Sequence, residues 1–264
     1  MASERSAVSK KQQDRNFDGI AGKFQKNIYQ TTKGRLRQAV LLRDFAECAD
    51  LAAPSRILDV GAGQGQLALA LAEQGHQVTL TDLSQDMLDI ALEQAKARGV
   101  EAQIQCHALA LQQLSEQHWP AFPVVLCHAV LEWLHEPAQA IQQLRALVQT
   151  GGLVSLMFYN KDAKRLSNII YGNFNYVLRD LAFKKKVSLS PQNPLQPDDV
   201  YAWCKEAGFV IEAKTGVRCF HDYLRDRSEQ ETEFDKLLQV ELQYNRQEPY
   251  ASIGRYQHLL LRAV

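Results

Sequence analysis

A chain of 264 residues, 46% hydrophobic and 23% charged, is long enough for one buried core with an elaboration, and its composition is ordinary for a globular fold. Thirty Lys and Arg balance thirty Asp and Glu, so overall charge neither supports nor opposes a nucleic-acid partner; only local clusters can. Five scattered cysteines (Cys48, Cys106, Cys127, Cys204, Cys219) without a C-x-x-C pair argue against a disulfide framework or a zinc site and suit reduced thiols in a cytosolic protein, and no apolar run approaches the roughly 18 residues of a membrane span.

In chain order, residues 1–12 read as a disordered tail without the apolar segment of a signal peptide. From Phe17 to about Leu51 the pattern is helical, broken near Tyr29 to Gly34, with Leu36, Val40, Leu41 and Phe45 forming an apolar face after the break. Short strands and helices then alternate, the signature of a parallel sheet: strands at 57–60, 78–82, 103–107, 124–128 and 153–158, helices near 66–74, 84–98 and 137–149. Ser84 is placed to cap the second helix, and Gly151-Gly152 to end the third and turn the chain into the fifth strand. Beyond Asn160 the alternation stops, and 161–198 reads as an insertion on the substrate side. A helix at 200–209, a strand at 210–220, a charged helix at 228–246 and a last strand at 256–262 complete a single domain over 13–264, with 13–51 as N-terminal helices and 52–160 as its ligand-binding core. The expected fold class is α/β, a Rossmann-like, doubly wound, mostly parallel seven-stranded sheet with ligand sites at the carboxyl ends of the strands.

Residues 56–65, RILDVGAGQG, organise the chain. An apolar strand runs into three alternating glycines and a helix, which brings backbone N–H groups up to a ligand. The spacing G-x-G-x-G differs from the dinucleotide fingerprint G-x-G-x-x-G, and Asp59 stands two residues before Gly61. An acid there can accept from an ammonium group, whereas it would repel a pyrophosphate. Asp82 ends the second strand, where an acid can take both ribose hydroxyls or simply cap a helix; an adenine ring would sit beside residues 107–110. His128 ends the fourth strand, as a structural histidine or a ligand contact. Arg37 is a solvated surface residue or the partner of a carboxylate or phosphate. Lys184, Lys185 and Lys186 are a solvated run or, beside Tyr171, Phe174, Tyr176 and Phe183, a surface that pairs phosphates and stacks unpaired bases.

The glycine motif resembles motif one of the class I S-adenosylmethionine-dependent methyltransferases. The stretches NIYQTTKGRLRQA, HAVLEW, SLMFYN, GNFNYV, KKKVSLSP, GVRCFHDYLR and RQEPYASIGRYQH resemble the bacterial tRNA 5-carboxymethoxyuridine methyltransferases, over nearly the whole chain. The resemblance implies methylation of the carboxylate of 5-carboxymethoxyuridine at the tRNA wobble position, with S-adenosylmethionine as cofactor and the anticodon stem-loop as partner. It implies cofactor contacts at Arg37, Gly61, Ala62, Asp82, Leu109 and His128, to which the reading of the glycine turn adds Asp59 and Gly63; Ala62 stands where a third consecutive glycine is common. Substrate contacts are expected among Lys33, Tyr159, Arg218 and the three lysines, with Arg218 as the cation for the substrate carboxylate. A carboxylate needs no general base and no metal, so no catalytic side chain is expected. Two alternatives predict other behaviour: an O-methyltransferase for a small carboxylic acid or phenol, and a catalytically silent cofactor-binding module.

Overall fold

The computed structural model describes residues 31–48, 54–182 and 193–264. The expected tail, the first helical segment before the break, and Lys184 to Lys186 lie outside the described residues. The strands are β1 (Arg56–Val60), β2 (Gln77–Asp82), β3 (Ile104–Ala108), β4 (Phe122–His128), β5 (Val148–Tyr159), β6 (Phe209–Val217) and β7 (Tyr256–Ala263). Among the described residues they form one seven-stranded sheet in the order β3-β2-β1-β4-β5-β7-β6. Strands β1 to β5 pair in parallel, and β7 runs antiparallel to both β5 and β6. The chain moves outward from β1 through β2 to β3, then returns to place β4 on the other side of β1. That reversal opens a crevice at the carboxyl ends of β1 and β4.

Helices α1 (Thr32–Cys48), α2 (Gln66–Glu73), α3 (Gln85–Arg98), α4 (Pro137–Leu147), α5 (Lys161–Ile170), α6 (Phe174–Leu178), α7 (Pro197–Glu206), α8 (Glu229–Thr232) and α9 (Phe234–Tyr244) surround the sheet. Strand residues alternate between two cores. Ile57, Leu80 and Leu126 pack with Leu36 and Val40 of α1, Leu71 of α2 and Leu88 of α3. Leu58, Val125 and Leu156 pack with Ile141 and Leu144 of α4 and Val200 of α7. Both faces are covered, which is why the strands read as continuous apolar runs. Each fully buried Leu, Ile or Val contributes about 1.5–3 kcal/mol relative to exposure. Ser84 caps α3 by accepting from the Met87 N–H at 3.3 Å.

Several boundaries differ from those read in the sequence. Helix α1 runs from Thr32 straight through Gly34, with no break there. A glycine inside a helix costs only about 1 kcal/mol against alanine, less than the buried Leu36, Val40 and Leu41 return. Lys33 and Arg37 therefore sit four residues apart on one helix rather than in a loop. Helix α4 stops at Leu147, and Gly151-Gly152 lies inside β5, where a shift in the β4–β5 register between Phe122 and Val124 accommodates it. β3 starts one residue later than expected. Helix α7 begins at Pro197, whose fixed φ suits a first helical position. β6 ends at Val217 because Arg218 adopts φ 63, and the charged helix is interrupted at Glu233 (φ −117) to give α8 and α9.

Candidate active site

The loop after β1 is fastened to the tip of β2. The Ala62 N–H donates to the Thr81 carbonyl at 2.9 Å, the Gly63 N–H to Asp82 Oδ2 at 2.8 Å, and the Ser84 N–H to Asp82 Oδ1 at 2.9 Å. Gly61 needs to be glycine twice over: its φ is +65, and a Cβ would lie 2.4 Å from Val130 Cγ2. Gly65, at φ +67, brings α2 so close to β2 that a Cβ would meet Leu80 Cδ2 at 2.6 Å. The result is a pocket at the β1/β4 crevice with Gly61 and Asp82 on its rim and Leu109, Leu111, Val130, Trp133 and Leu134 among its apolar walls.

Two acids stand near the carboxyl ends of β1 and β2, and of these Asp82 lines the pocket. Asp59 is buried, and burial together with the neighbouring Asp82 carboxylate pushes its pKa up to about 8. Asp82 is partly exposed at the rim. Apolar walls suit a planar heteroaromatic ring, Asp82 has remaining acceptor capacity for hydroxyl donors, and a cation beside Asp59 would relieve the cost of ionising it. An adenosine carrying an amino-acid tail has those groups, so the residues present fit such a cofactor.

His128 ends β4 with its Nε2 2.7 Å from Ser155 Oγ. Burial holds its pKa well below the usual histidine value, with Arg37 adding to the effect. Glu132, one short turn beyond β4, is buried, and burial pushes its carboxyl up to about 7 despite Arg37 nearby. Burial raises the Tyr256 hydroxyl's pKa, with Glu132 adding to this and Arg218, Arg37 and Arg255 opposing it. Tyr256 thus joins the crevice to a second cluster.

That cluster is cationic and built around one carboxylate. Arg218 Nη2 donates to both oxygens of Asp222 at 2.5 Å, and Arg255 Nε stands 3.7 Å from Asp222 Oδ2. Burial pushes the Asp222 carboxyl up, but Arg218, His221 and Arg255 outweigh it and hold it well below the usual carboxylate range. The Arg255 guanidinium lies 5.1 Å from the centre of the Tyr159 ring, which packs on Tyr256 at 5.5 Å. Lys33 lies at the edge. Its pKa is lowered first by burial and then by Arg218, with Arg255 and Arg227 adding to this and Asp222 only partly compensating. Beside it, Tyr171 and Phe174 expose 48% and 60% of their surface, and Arg227 stacks on the Tyr171 ring at 5.3 Å.

The fold therefore gathers Gly61, Asp82 and Leu109 at one pocket, with Asp59, Ala62 and Gly63 in the strand and loop that build it. It gathers Lys33, Tyr159 and Arg218 in the adjoining cluster, with Arg37 and His128 between them. Arg218 is already held by Asp222, which the sequence reading did not foresee. Glu132, Asp222, Arg255 and Tyr256 were missed. A carboxylate inside the apolar run HAVLEW and the four-residue spacing of Arg218 and Asp222 are the signals that could have found two of them. Among the described residues, no group of three His, Cys, Asp or Glu side chains is placed to hold a metal ion, and no helix is long and apolar enough to cross a membrane.

A family described as a methyltransferase domain matches residues 58–154. The chain is 46% identical over 252 residues to the tRNA 5-carboxymethoxyuridine methyltransferase of Escherichia coli strain K12, covering 95% of this chain and 97% of that one. It is 30% identical over 172 residues to a ubiquinone biosynthesis O-methyltransferase of Alkalilimnicola ehrlichii, covering 65% and 67% of the two chains. In structure it is similar to magnesium protoporphyrin IX methyltransferase from Synechocystis PCC 6803, solved with bound SAH, at a TM-score of 0.65 and 16% identity over 94% of this chain and 96% of that one. The sheet order, the glycine turn fastened to Asp82 and the match along nearly the full length lead to one assignment: the chain belongs to the tRNA 5-carboxymethoxyuridine methyltransferase family, enzymes of the class I S-adenosylmethionine-dependent methyltransferase fold.

Proposed function

We propose that this enzyme methylates the carboxylate of 5-carboxymethoxyuridine at the wobble position of tRNA, in the cytoplasm, giving the methyl ester. S-adenosylmethionine, when bound, supplies an electrophilic methyl group on a sulfonium. In this reading the 61–63 backbone, Asp82 and Leu109 hold its adenosine, Asp59 accepts from its ammonium, Arg37 pairs its carboxylate, and His128 contacts it from the tip of β4.

The observation that carries the substrate reading is the unbalanced positive charge beyond Tyr256. Lys33, Arg218, Arg227 and Arg255 act on one another around Asp222, with the buried Glu241 carboxyl, pushed up to about 7, as the next acid; burial first, and then Arg218, lowers the Lys33 pKa. An incoming carboxylate restores the balance, and burying it unpaired would be very unfavourable. Arg218 serves as the fixed positive centre, oriented by Asp222, while Lys33 and Arg255 close on the substrate. Tyr159 packs beside the modified base. The exposed Tyr171 and Phe174 suit stacking with splayed anticodon-loop bases, and Lys184 to Lys186, outside the described residues, suit its phosphates.

The chain's residues then have no proton to move. A carboxylic acid with a pKa of about 4 is roughly 99.9% ionised at neutral pH. What they must do is align the carboxylate oxygen with the methyl group and remove part of its water. The test is incubation of the enzyme with labelled S-adenosylmethionine and total tRNA from cells lacking this protein, followed by nucleoside mass spectrometry. The labelled methyl ester of 5-carboxymethoxyuridine is the expected product. Transfer that persists after RNase digestion of the substrate fraction would instead indicate a small-molecule acceptor.

A further inference from the structure

Three adjacent strands and one helix contribute to a buried polar chain that leads away from the crevice. His128 Nε2 lies 2.7 Å from Ser155 Oγ, Ser155 Oγ lies 2.7 Å from His258 Nε2, and His258 Nδ1 lies 2.7 Å from Asp44 Oδ2. Ser155, His258 and Asp44 are each at most 1% exposed. Asp44 in turn takes Arg43 Nε at 3.0 Å and Arg246 Nη2 at 2.5 Å on its other oxygen. The register explains the row: His128 on β4 and His258 on β7 both lie opposite Met157 of β5, and Ser155 is two residues back on the same face of β5.

We propose that Asp44, His258 and Ser155 are positioning residues that hold His128 as its Nε2–H tautomer, so that its Nδ1 stands as a hydrogen-bond acceptor at the tip of β4. The direction of the chain follows from donor and acceptor counting. Asp44, an ionised carboxylate, only accepts, so His258 Nδ1 carries the proton between them. Arg43 and Arg246 donate to the other Asp44 oxygen, and Arg246 also pairs with Glu47, so two cations already face the two carboxylates. We take the His258 ring between them to carry one proton only, which leaves its Nε2 as an acceptor. The single hydroxyl proton of Ser155 must then go to His258 Nε2. Ser155 Oγ is left to accept, and the donor it faces is His128 Nε2–H. A neutral His128 with its proton on Nε2 has a bare Nδ1. Which nitrogen of a functional histidine acts is set by what the other one bonds.

The consequence rests on the reading that His128 contacts the cofactor. A bare Nδ1 can take a hydrogen bond from an ammonium or hydroxyl donor on that ligand. The opposite tautomer would set donor against donor. The relay also anchors the ring to α1, the helix that carries Lys33 and Arg37, so one buried chain registers the β4 tip against that helix.

Histidine 15N labelling of the full chain reads the tautomer directly. The seven histidines are few enough to assign His128 and His258 by substitution. In the protein without ligand, His128 should be protonated at Nε2 and His258 at Nδ1; a proton on His128 Nδ1 overturns the inference. Ser155→Ala should mix the His128 tautomers and weaken S-adenosylhomocysteine binding about three- to tenfold, the loss of roughly one hydrogen bond. Ser155→Thr, which keeps the hydroxyl, should restore both. If His128→Ala weakens binding and Ser155→Ala does not, the positioning role is refuted and the contact stands. If His128→Ala leaves binding unchanged, the contact itself is refuted, while the tautomer signals still decide whether the relay exists. Should Ser155→Ala fail to fold, the tautomers of the unaltered protein provide the test.

Discussion

Asp59 offers the sharpest test of the cofactor site, because its protonation and its proposed partner are linked. With a folded-state pKa of about 8 against an ordinary carboxylate value of 3.8, the folded protein holds this proton more tightly than the unfolded chain. Stability without ligand therefore falls as pH rises from about 4 to about 8. At pH 7 the carboxyl is about 90% protonated, and pairing it with an ammonium drives that proton off. The ligand's own amine, with a pKa of about 7.7–8.0, takes up roughly 0.1 proton at the same time, so about 0.8 proton should be released per S-adenosylhomocysteine bound at pH 7. Titration calorimetry in buffers of different ionisation enthalpy measures this number. The affinity lost in Asp59→Asn follows from the same quantities. A hydrogen bond to a charged group contributes about 1.5–3 kcal/mol, and ionising Asp59 costs about 1.4 kcal/mol at pH 7 but about 0.4 at pH 8. The substitution should thus weaken binding by only about 0.1–1.6 kcal/mol at pH 7, and by about 1 kcal/mol more at pH 8. A binding heat independent of buffer, with an Asp59→Asn penalty that does not grow with pH, would refute the pairing of Asp59 with the ammonium.

Asp82→Ala should weaken cofactor binding by about 1.5–3 kcal/mol and also lower the melting temperature, since the Gly63 and Ser84 N–H groups lose their shared acceptor. Asp82→Asn, which keeps one acceptor oxygen but turns an amide NH2 toward the other N–H donor, should recover only part of the stability and little of the affinity. Arg255→Met should raise KM for tRNA about tenfold, and Lys33→Ala, more exposed and screened, about two- to fivefold. Neither should change cofactor affinity; unchanged KM in both would place the substrate carboxylate elsewhere. Single-turnover rates at saturating cofactor should stay nearly flat from about pH 6 to 9, because the acceptor carboxylate titrates well below that window. A tenfold rise per pH unit through neutrality would mean that a proton must be removed from the acceptor, which then is not a carboxylate.

Much of this protein is written locally. The run RILDV followed by G-x-G-x-G could be read because a strand, a left-handed turn and a helix each depend on neighbours a few residues away. The alternation from β1 to β5, and the placement of Asp59, Asp82 and His128 at strand ends, follow from that local order plus the right-handed crossover. Boundaries went astray where tertiary packing outweighed local preference. Gly34 stays helical because the face behind it is buried, and Gly151-Gly152 extends β5 because β4 offers a ladder to pair with.

The partners of each site residue were decided only in three dimensions. Strand β7 enters antiparallel between β5 and β6, a placement that no spacing in the sequence specifies. That insertion sets His258 beside Ser155 and Tyr256 beside Tyr159, and so connects His128 to Asp44 across separations of 27, 103 and 214 positions. Likewise, Arg218 reads as an available cation until Asp222 is seen to hold it, and Arg255 and Lys33 acquire their meaning from the charge already gathered around that pair. Hydrophobic patterning and turn chemistry act over a few residues and survive in the linear order. Charge balance, tautomer and desolvation depend on which distant groups share a buried volume, and only the folded chain determines that.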